Sequence, residues 1–84
     1  MTIYDFIASI NDTYNIVFKI FDFNREDCVF IPTDDSDGKL EVTAEELMYT
    51  EYADLEIGSM DMWMDDGKIH IEFNVEIDEE DFDD

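Results

Sequence analysis

The sequence contains one histidine, His70, and one cysteine, Cys28, so nucleophilic catalysis would have to rest on this pair. A cysteine becomes a strong nucleophile when a histidine lies within hydrogen-bond reach of its thiol. Cys28, however, falls within the largely apolar segment FNREDCVFIP, where a buried structural thiol is the common outcome. The chain also has one arginine, Arg25, and no glycine-rich phosphate loop. We therefore expect no enzymatic activity and no cofactor.

The acidic segment before Gly38 has the composition of a calcium-binding loop. If Gly38 is the sixth position of an EF-hand loop, then Thr33 is the first and Ala44 the twelfth. Those two positions require an acidic ligand and a bidentate glutamate, so the pattern excludes an EF-hand. One histidine and one cysteine cannot form a structural zinc site either. Weak association of Mg²⁺ or Ca²⁺ with the acidic residues remains a third hypothesis for the function.

Carboxylates are by far the most abundant reactive groups in the chain. There are 25 Asp and Glu residues against 4 Lys and Arg, a net charge of -21, in a sequence of which 45% is hydrophobic. A small domain needs a net charge of magnitude only about 2–8 for solubility. The charge disfavours direct binding to nucleic acid or to an anionic membrane, because both would repel the protein. It favours a basic protein partner instead.

The spacing of the apolar residues predicts one small α+β domain over residues 1–77. Ile3, Phe6, Ile7 and Ile10 recur as one stripe of an N-terminal helix. The segments 14–23, 28–31 and 39–42 are predicted strands, and a capping box at Thr43 begins a second helix that ends near residue 52. We expect the first helix to pack on a four- to five-stranded antiparallel sheet, in the order α-β-β-β-α-β-β. Residues 78–84 are predicted to form a disordered acidic tail.

A β-hairpin is predicted around Asp66-Gly67, a pair that favours the positive φ angles of a primed turn. In this register Asp65 faces Lys68, Trp63 faces His70, and Asp61 faces Glu72. Three methionines then share the core face with the apolar residues of the second strand: Met60, Met62 and Met64. Leu55 and Ile57 have the opposite parity, so we predict a β-bulge at residues 58–59 that returns both to the core face.

The aromatic residues divide into predicted core and predicted surface. Four phenylalanines are expected in the core: Phe6, Phe18, Phe30 and Phe73. Tyr4 lies off the apolar side of the first helix and is expected to be exposed. Trp63 has two interpretations, because it lies on the acidic face of the hairpin. It either contacts a partner or covers the second face of the sheet beneath a loop.

Acidic residues on the hairpin and just before it form the candidate binding site. Outward residues on a strand recur every ~6.8 Å, so a row of them can imitate the ordered negative charge of a nucleic-acid backbone. Trp63 and His70 are predicted to form a desolvated anchor at the centre of this site. The predicted phosphate surrogates are Asp54, Glu56, Asp61, Asp65, Asp66, Glu72 and Glu76.

The opening pattern of Met1, Ile3, Phe6, Ile7 and Ile10 comes before a small predicted sheet, in a short and extremely acidic chain with a single cysteine. In these features the chain resembles the phage-encoded DNA-mimic inhibitors, in particular the anti-CRISPR proteins that block Cas9-type nucleases. In that family, acidic side chains occupy the nuclease site that receives the PAM duplex. The resemblance implies a Cas effector, or another host defence nuclease, as the partner. It also implies action in the host cytoplasm.

A different class of function remains open beside this one. The protein could be an acidic adaptor or immunity-type protein that neutralises a basic partner without imitating nucleic acid. The N-terminal segment lacks a basic region and carries Asp5, so no secretory signal is expected. No apolar run approaches the ~20 residues of a membrane span. We expect a cytoplasmic monomer, since self-association would have to overcome the charge of each chain.

Overall fold

The computed structural model describes residues 1–10, 14–33 and 38–77, so the predicted tail and most of the acidic loop before Gly38 lie outside the described residues. The chain folds as the predicted α+β domain, in which helices cover one face of a four-stranded sheet. The helices are α1 (Ile3–Ala8) and α2 (Ala44–Met48), with a short 3₁₀ helix at Glu51–Asp54. The strands are β1 (Ile16–Asp22), β2 (Asp27–Cys28), β3 (Ser59–Asp65) and β4 (Lys68–Val75).

The sheet is mixed, so the prediction of a wholly antiparallel sheet was wrong. The strand order is β2-β1-β4-β3, and the two central strands, β1 and β4, run parallel. A parallel pair needs a long crossover connection, and the chain between β1 and β4 supplies one that includes α2. The outer pairs, β1 with β2 and β3 with β4, are antiparallel as expected of strands joined by tight turns.

The predicted third strand, residues 39–42, forms two isolated bridges instead of a continuous strand. Val42 exchanges backbone hydrogen bonds with Phe18 (2.8 and 2.9 Å), and Lys39 exchanges a pair with Ile31 (both 2.8 Å). Strand β2 ends at Cys28 rather than at Ile31, and Ile31 pairs with Lys39. Helix α2 likewise ends at Met48, earlier than predicted.

Thr50 explains the early end of α2. Its hydroxyl donates to the carbonyl of Leu47 at 2.7 Å, and its backbone N–H donates to the same oxygen at 3.1 Å. Such local bonds compete with the continuation of an α-helix. The chain therefore leaves the α-helix here and forms the 3₁₀ helix that carries Glu51 and Asp54.

The core lies between the helices and one face of the sheet, and stacked phenylalanines form its centre. The ring of Phe73 lies parallel to that of Phe18 at 5.6 Å, while Phe6 meets it edge-on at 5.5 Å. Phe18 and Phe73 are fully buried, as predicted. Phe30 was wrongly placed in the core: it is 57% exposed, because the neighbouring Ile31 takes the inward position.

The hairpin register is confirmed at every predicted pair. Asp65 faces Lys68, Trp63 faces His70, and Asp61 faces Glu72. Gly58 donates its N–H to the carbonyl of Asn74 at 2.9 Å, while Ser59 stands opposite the same residue, so two residues face one as in a bulge. Leu55 is buried and Ile57 packs against the core, as predicted.

Strand β3 begins at Ser59 and does not continue upstream, although a bulge that returns Leu55 and Ile57 to the core face implied that residues 54–57 would extend the strand. Glu56 pairs with Thr2, and the N–H of Ile57 donates to the carbonyl of Met1 at 3.0 Å. Residues 56–57 are thus bound to the N-terminal segment, and the contact with β4 begins at Gly58. As a result, Asp54 and Glu56 do not extend the acidic row of the hairpin.

Replacing Gly67 by alanine is expected to destabilise the protein by about 1–2 kcal/mol, because Gly67 has a φ of 77°. A Cβ at this position would meet no atom within 4 Å, so only backbone strain opposes the substitution. Chemical denaturation measures the loss. Asp66→Asn is the matched control: Asp66 has a φ of 54°, which asparagine also tolerates, so its unfolding free energy should stay near that of the wild type.

Candidate partner-binding surface

The structure divides the nine predicted site residues between two neighbouring surfaces. One is the outer face of the hairpin, which is the face turned away from the helices. The other is a cleft beside the start of β3. The hairpin group contains Asp61, Trp63, Asp65, Asp66, His70 and Glu72. The cleft group contains Asp54, Glu56 and Glu76.

An aromatic pair lies at the centre of the outer hairpin face. The Trp63 and His70 rings are parallel within 7°, with their centroids 5.5 Å apart. Trp63 is 40% exposed, whereas the His70 side chain is mostly buried. Nδ1 of His70 lies 4.0 Å from Oε1 of Glu41, a residue that the sequence did not suggest. Glu41 reaches this face because Val42 pairs with β1, and nothing in the sequence pattern indicated that pairing.

The acidic residues of the hairpin are partly compensated by their neighbours. The side-chain amide of Asn74 donates to Oδ2 of Asp61 at 3.0 Å and to the Ser59 hydroxyl at 3.1 Å. Glu72 faces Asp61 on one side and stands beside Lys19 on the other. These neighbours reduce the electrostatic cost of placing two carboxylates opposite each other. The outer hairpin face is therefore less negative than its acidic residues alone suggest.

Lys68 adds to this compensation, because it stands opposite Asp65 at the end of the hairpin. The two remaining basic side chains also lie beside carboxylates. Arg25 approaches Asp22 at 3.6 Å, and Lys39 approaches Glu46 at 3.7 Å. Each of the four Lys and Arg residues thus stands beside at least one acid, and none of the four lines the cleft.

The cleft has a volume of about 990 Å³ and is lined by carboxylates from three separate elements. Glu51 and Asp54 belong to the 3₁₀ helix, Glu56 is in the segment that pairs with Thr2, and Glu76 follows β4. Apolar residues form the rest of the lining together with Gly58, Ser59 and Asn74: Phe23, Leu55, Ile57 and Val75. None of the lining residues is Lys or Arg. The sequence did not indicate Glu51, which begins the 3₁₀ helix that follows the early end of α2.

One positive group approaches this acidic cluster. The N-terminal ammonium of Met1 donates to Oε2 of Glu56 at 2.9 Å. This hydrogen bond, together with the negative charge of the Glu56 carboxylate, raises the pKa of the ammonium group above its usual value of 8.0. Glu56 is therefore partly neutralised, whereas none of the ion pairs found among the described residues involves Glu51, Asp54 or Glu76.

The structure gives Cys28 and His70 different neighbours. The Cys28 thiol is 3.9 Å from Oε1 of Glu72, a weak contact, whereas His70 lies between Trp63 and Glu41. Over residues 1–10, 14–33 and 38–77, no group of three or more His, Cys, Asp or Glu residues is placed to hold a metal ion. In the same ranges, no helix has the length and apolar character needed to cross a bilayer.

A groove of about 510 Å³ lies between α1 and α2. Tyr4 and Tyr49 border it, and both are exposed, as predicted for Tyr4.

Comparison with known proteins found no relative. No protein-family model matches the sequence, and neither the curated proteins nor the solved structures yield a match.

Proposed function

We propose that the protein is a non-enzymatic inhibitor that mimics nucleic acid and occupies the DNA-binding cleft of a host defence nuclease, with a Cas-type effector as the first candidate. The observation that carries this proposal is the cluster of Glu51, Asp54, Glu56 and Glu76 around one cleft without a Lys or Arg in its lining. Nucleic-acid-binding proteins place Lys and Arg to receive phosphates, and such side chains would find carboxylates in the same role here.

The backbone around the cleft supports a role in recognition, because it fixes the acids at separate points. The N–H of Leu55 donates to the carbonyl of Tyr52 at 3.1 Å, and that of Gly58 donates to Asn74 at 2.9 Å. A charged surface that is already ordered loses less conformational entropy when it binds. It also keeps its charges at defined spacings, as a nucleic-acid backbone does.

The outer hairpin face is the second part of the proposed surface. Trp63 offers a large aromatic contact beside Asp61 and Asp65, and its partial exposure leaves it available. Aromatic residues at the centre of an interface often carry much of the binding energy. We expect this face to contribute contact area, and the cleft to contribute most of the charge.

Neutralising the cleft is expected to weaken binding to a guide-loaded Cas9-type nuclease by roughly a hundredfold, since close charge pairs across an interface are strongly coupled. The test variant carries Asp54→Asn, Glu56→Gln and Glu76→Gln. The matched control carries Asp61→Asn, Asp65→Asn and Glu72→Gln, which remove the same charge from the hairpin face. Titration calorimetry at several salt concentrations should show the larger loss, and the larger decrease in salt sensitivity, for the cleft variant.

Competition with DNA separates mimicry from simple charge neutralisation. A duplex containing the PAM should displace the protein from the nuclease if both occupy one site. Binding that the duplex does not disturb would reject mimicry and favour the adaptor or immunity-type function. Equal losses for the two triple variants would show that total charge, and not the cleft, determines affinity.

A further inference from the structure

Strand β3 forms one edge of the sheet, and its outer side has no strand partner among the described residues. All seven of its residues are exposed. Proteins usually protect such an edge with charged side chains, above all lysine, or with proline, bulges or a covering element, because unpaired backbone groups attract other strands. The sequence of β3, SMDMWMD, has no lysine and no proline; its charged residues are Asp61 and Asp65, and its bulge lies at its first residue.

An apolar row lies along this open edge, on the same face of the sheet as the core. Met62 is 64% exposed and Met64 is 73% exposed, with Met60 at 37% nearer the helices. Ile69 continues the row onto β4, opposite Met64. The helices thus leave the hairpin side of this face uncovered. An unpaired backbone edge beside flexible apolar side chains is the arrangement that β-strand addition uses.

The face of β3 opposite the methionine row favours a positively charged partner, because it carries acidic residues. Asp61 and Asp65 both point to the outer face, about 14 Å apart at ~3.4 Å per residue. Trp63 lies between them, and because His70 covers one side of its ring, the other side is turned toward the open edge. A guanidinium group can stack on an indole face of this kind.

We propose that β3 binds an extended segment of a basic partner as a fifth strand of the sheet. The segment would alternate apolar residues, which face the methionine row, with Lys or Arg residues, which face Asp61, Trp63 and Asp65. A second copy of this chain is a poorer occupant, because each copy brings a net charge of -21 to the edge. The proposal goes beyond nucleic-acid mimicry, since pairing at β3 requires neither the cleft nor a DNA-binding site.

A short peptide in which valine alternates with lysine or arginine is a suitable probe for this edge. Two N-methylated versions of it give the sharpest control. One version is methylated on the backbone nitrogens that point to one edge of the extended peptide, and the other version on those that point to the opposite edge. The charge and side chains stay the same, but only one of the two versions loses the N–H groups that pair with β3. We expect one version to bind like the parent peptide and the other to lose at least about tenfold in affinity.

Replacing Met62 by serine should lower the affinity for the parent peptide by about tenfold, because the apolar row loses its central side chain. Tyr49→Ser is the matched control: Tyr49 is also highly exposed but lies on the helical side, so the affinity should not change. Hydrogen exchange should show slower exchange in β3 amides when the parent peptide binds.

Three results would overturn the proposal. The first is equal binding of the two methylated peptides, which would mean attraction by charge alone. The second is no detectable binding of the parent peptide. The third is a dimer in sedimentation experiments with protected β3 amides and no peptide, which would assign the edge to a second copy. None of these results affects the DNA competition test, so the nuclease-inhibitor proposal succeeds or fails separately.

Discussion

Replacing Phe73 by alanine is expected to lower the free energy of unfolding by about 3–5 kcal/mol, the range found for buried phenylalanines. Phe73 is fully buried in β4, and its ring contacts Phe18 face to face and Phe6 edge to face. Alanine would remove both aromatic contacts and leave a cavity between the helix and the sheet. Because a domain of this size has a total stability of only about 4–13 kcal/mol, the loss should be large enough to unfold much of the protein on mild heating.

Phe73→Leu provides a variant that should remain folded for measurement. Leucine fills much of the same space, so we expect a smaller loss of about 1–2 kcal/mol, from the aromatic contacts and from imperfect packing. Tyr49→Ala is the surface control, since Tyr49 is highly exposed at the C-terminal end of α2, and its effect should stay within about 0.5 kcal/mol. Urea denaturation followed by Trp63 fluorescence gives all three values. A loss below 1 kcal/mol for Phe73→Ala would contradict this description of the core.

The hairpin could be predicted from the sequence because its determinants are local. Asp66-Gly67 set the turn, and strict alternation in β4 set which side chains face the core. Since the side-chain period of a strand is two residues, one turn position fixes every pair along the hairpin. The same logic correctly placed Trp63 opposite His70.

The direction of β1 could not be predicted in this way. Alternation shows which face of a strand is buried, but it is the same for parallel and antiparallel neighbours. The order of strands in the sheet places β1 beside β4, which is distant in sequence, and only the three-dimensional path through α2 makes that pair parallel. The isolated bridge between Val42 and Phe18 also joins residues that are distant in sequence.

The positions of the candidate residues could be predicted on the hairpin but not at the cleft, for a related reason. The positions of Asp61 and Glu72 follow from the alternation of side chains along a strand, whereas Asp54 and Glu56 do not lie in a strand at all. Thr2 pairs with Glu56 across more than fifty residues of sequence, so no local pattern could reveal it. The cleft nevertheless collects three of the acids that the sequence singled out.

The charge distribution gives the two surfaces different physical roles. Basic side chains accompany the acids of the hairpin face, where Lys19 stands beside Glu72 and Lys68 opposite Asp65. In the cleft, the N-terminal ammonium beside Glu56 is the one cation that the described part of the chain places against an acid. A basic partner should therefore be attracted first toward the cleft, since long-range steering follows the summed charge of a surface. The hairpin can then add contact area once the partner is near.

Replacing Asp22 by alanine is expected to destabilise the protein by about 2–4 kcal/mol, because it leaves two backbone N–H groups without their acceptor. Asp22 is fully buried at the end of β1. Its Oδ1 accepts hydrogen bonds from the N–H of Ile77 at 3.2 Å and of Asn24 at 2.9 Å. The side-chain amide of Asn24 in turn donates to the carbonyl of Ile77 at 2.8 Å. These bonds fasten the end of β4 to the turn after β1.

Two further variants separate the hydrogen bonds of Asp22 from its charge. Asp22→Asn keeps an acceptor oxygen for both N–H groups, so its loss should be clearly smaller than that of alanine. Arg25→Gln removes the cation 3.6 Å from Oδ2, and because Arg25 is largely exposed we expect a loss of at most about 1 kcal/mol. Thermal and urea denaturation measure the loss of stability of each variant. Equal losses for Asp22→Ala and Asp22→Asn would mean that the charge of the carboxylate, and not its bonds to the backbone, stabilises the fold.

The same substitution should also reach the proposed binding surface. Ile77 directly follows Glu76, so the bonds of Asp22 hold the backbone that carries this cleft carboxylate. In Asp22→Ala we expect faster hydrogen exchange at Ile77 and, at a temperature where the variant is folded, weaker binding to the nuclease with no change in net charge at the cleft itself. In Asp22→Asn the exchange at Ile77 should remain slow. Slow exchange at Ile77 in the alanine variant would show that β4 keeps its end in place without Asp22.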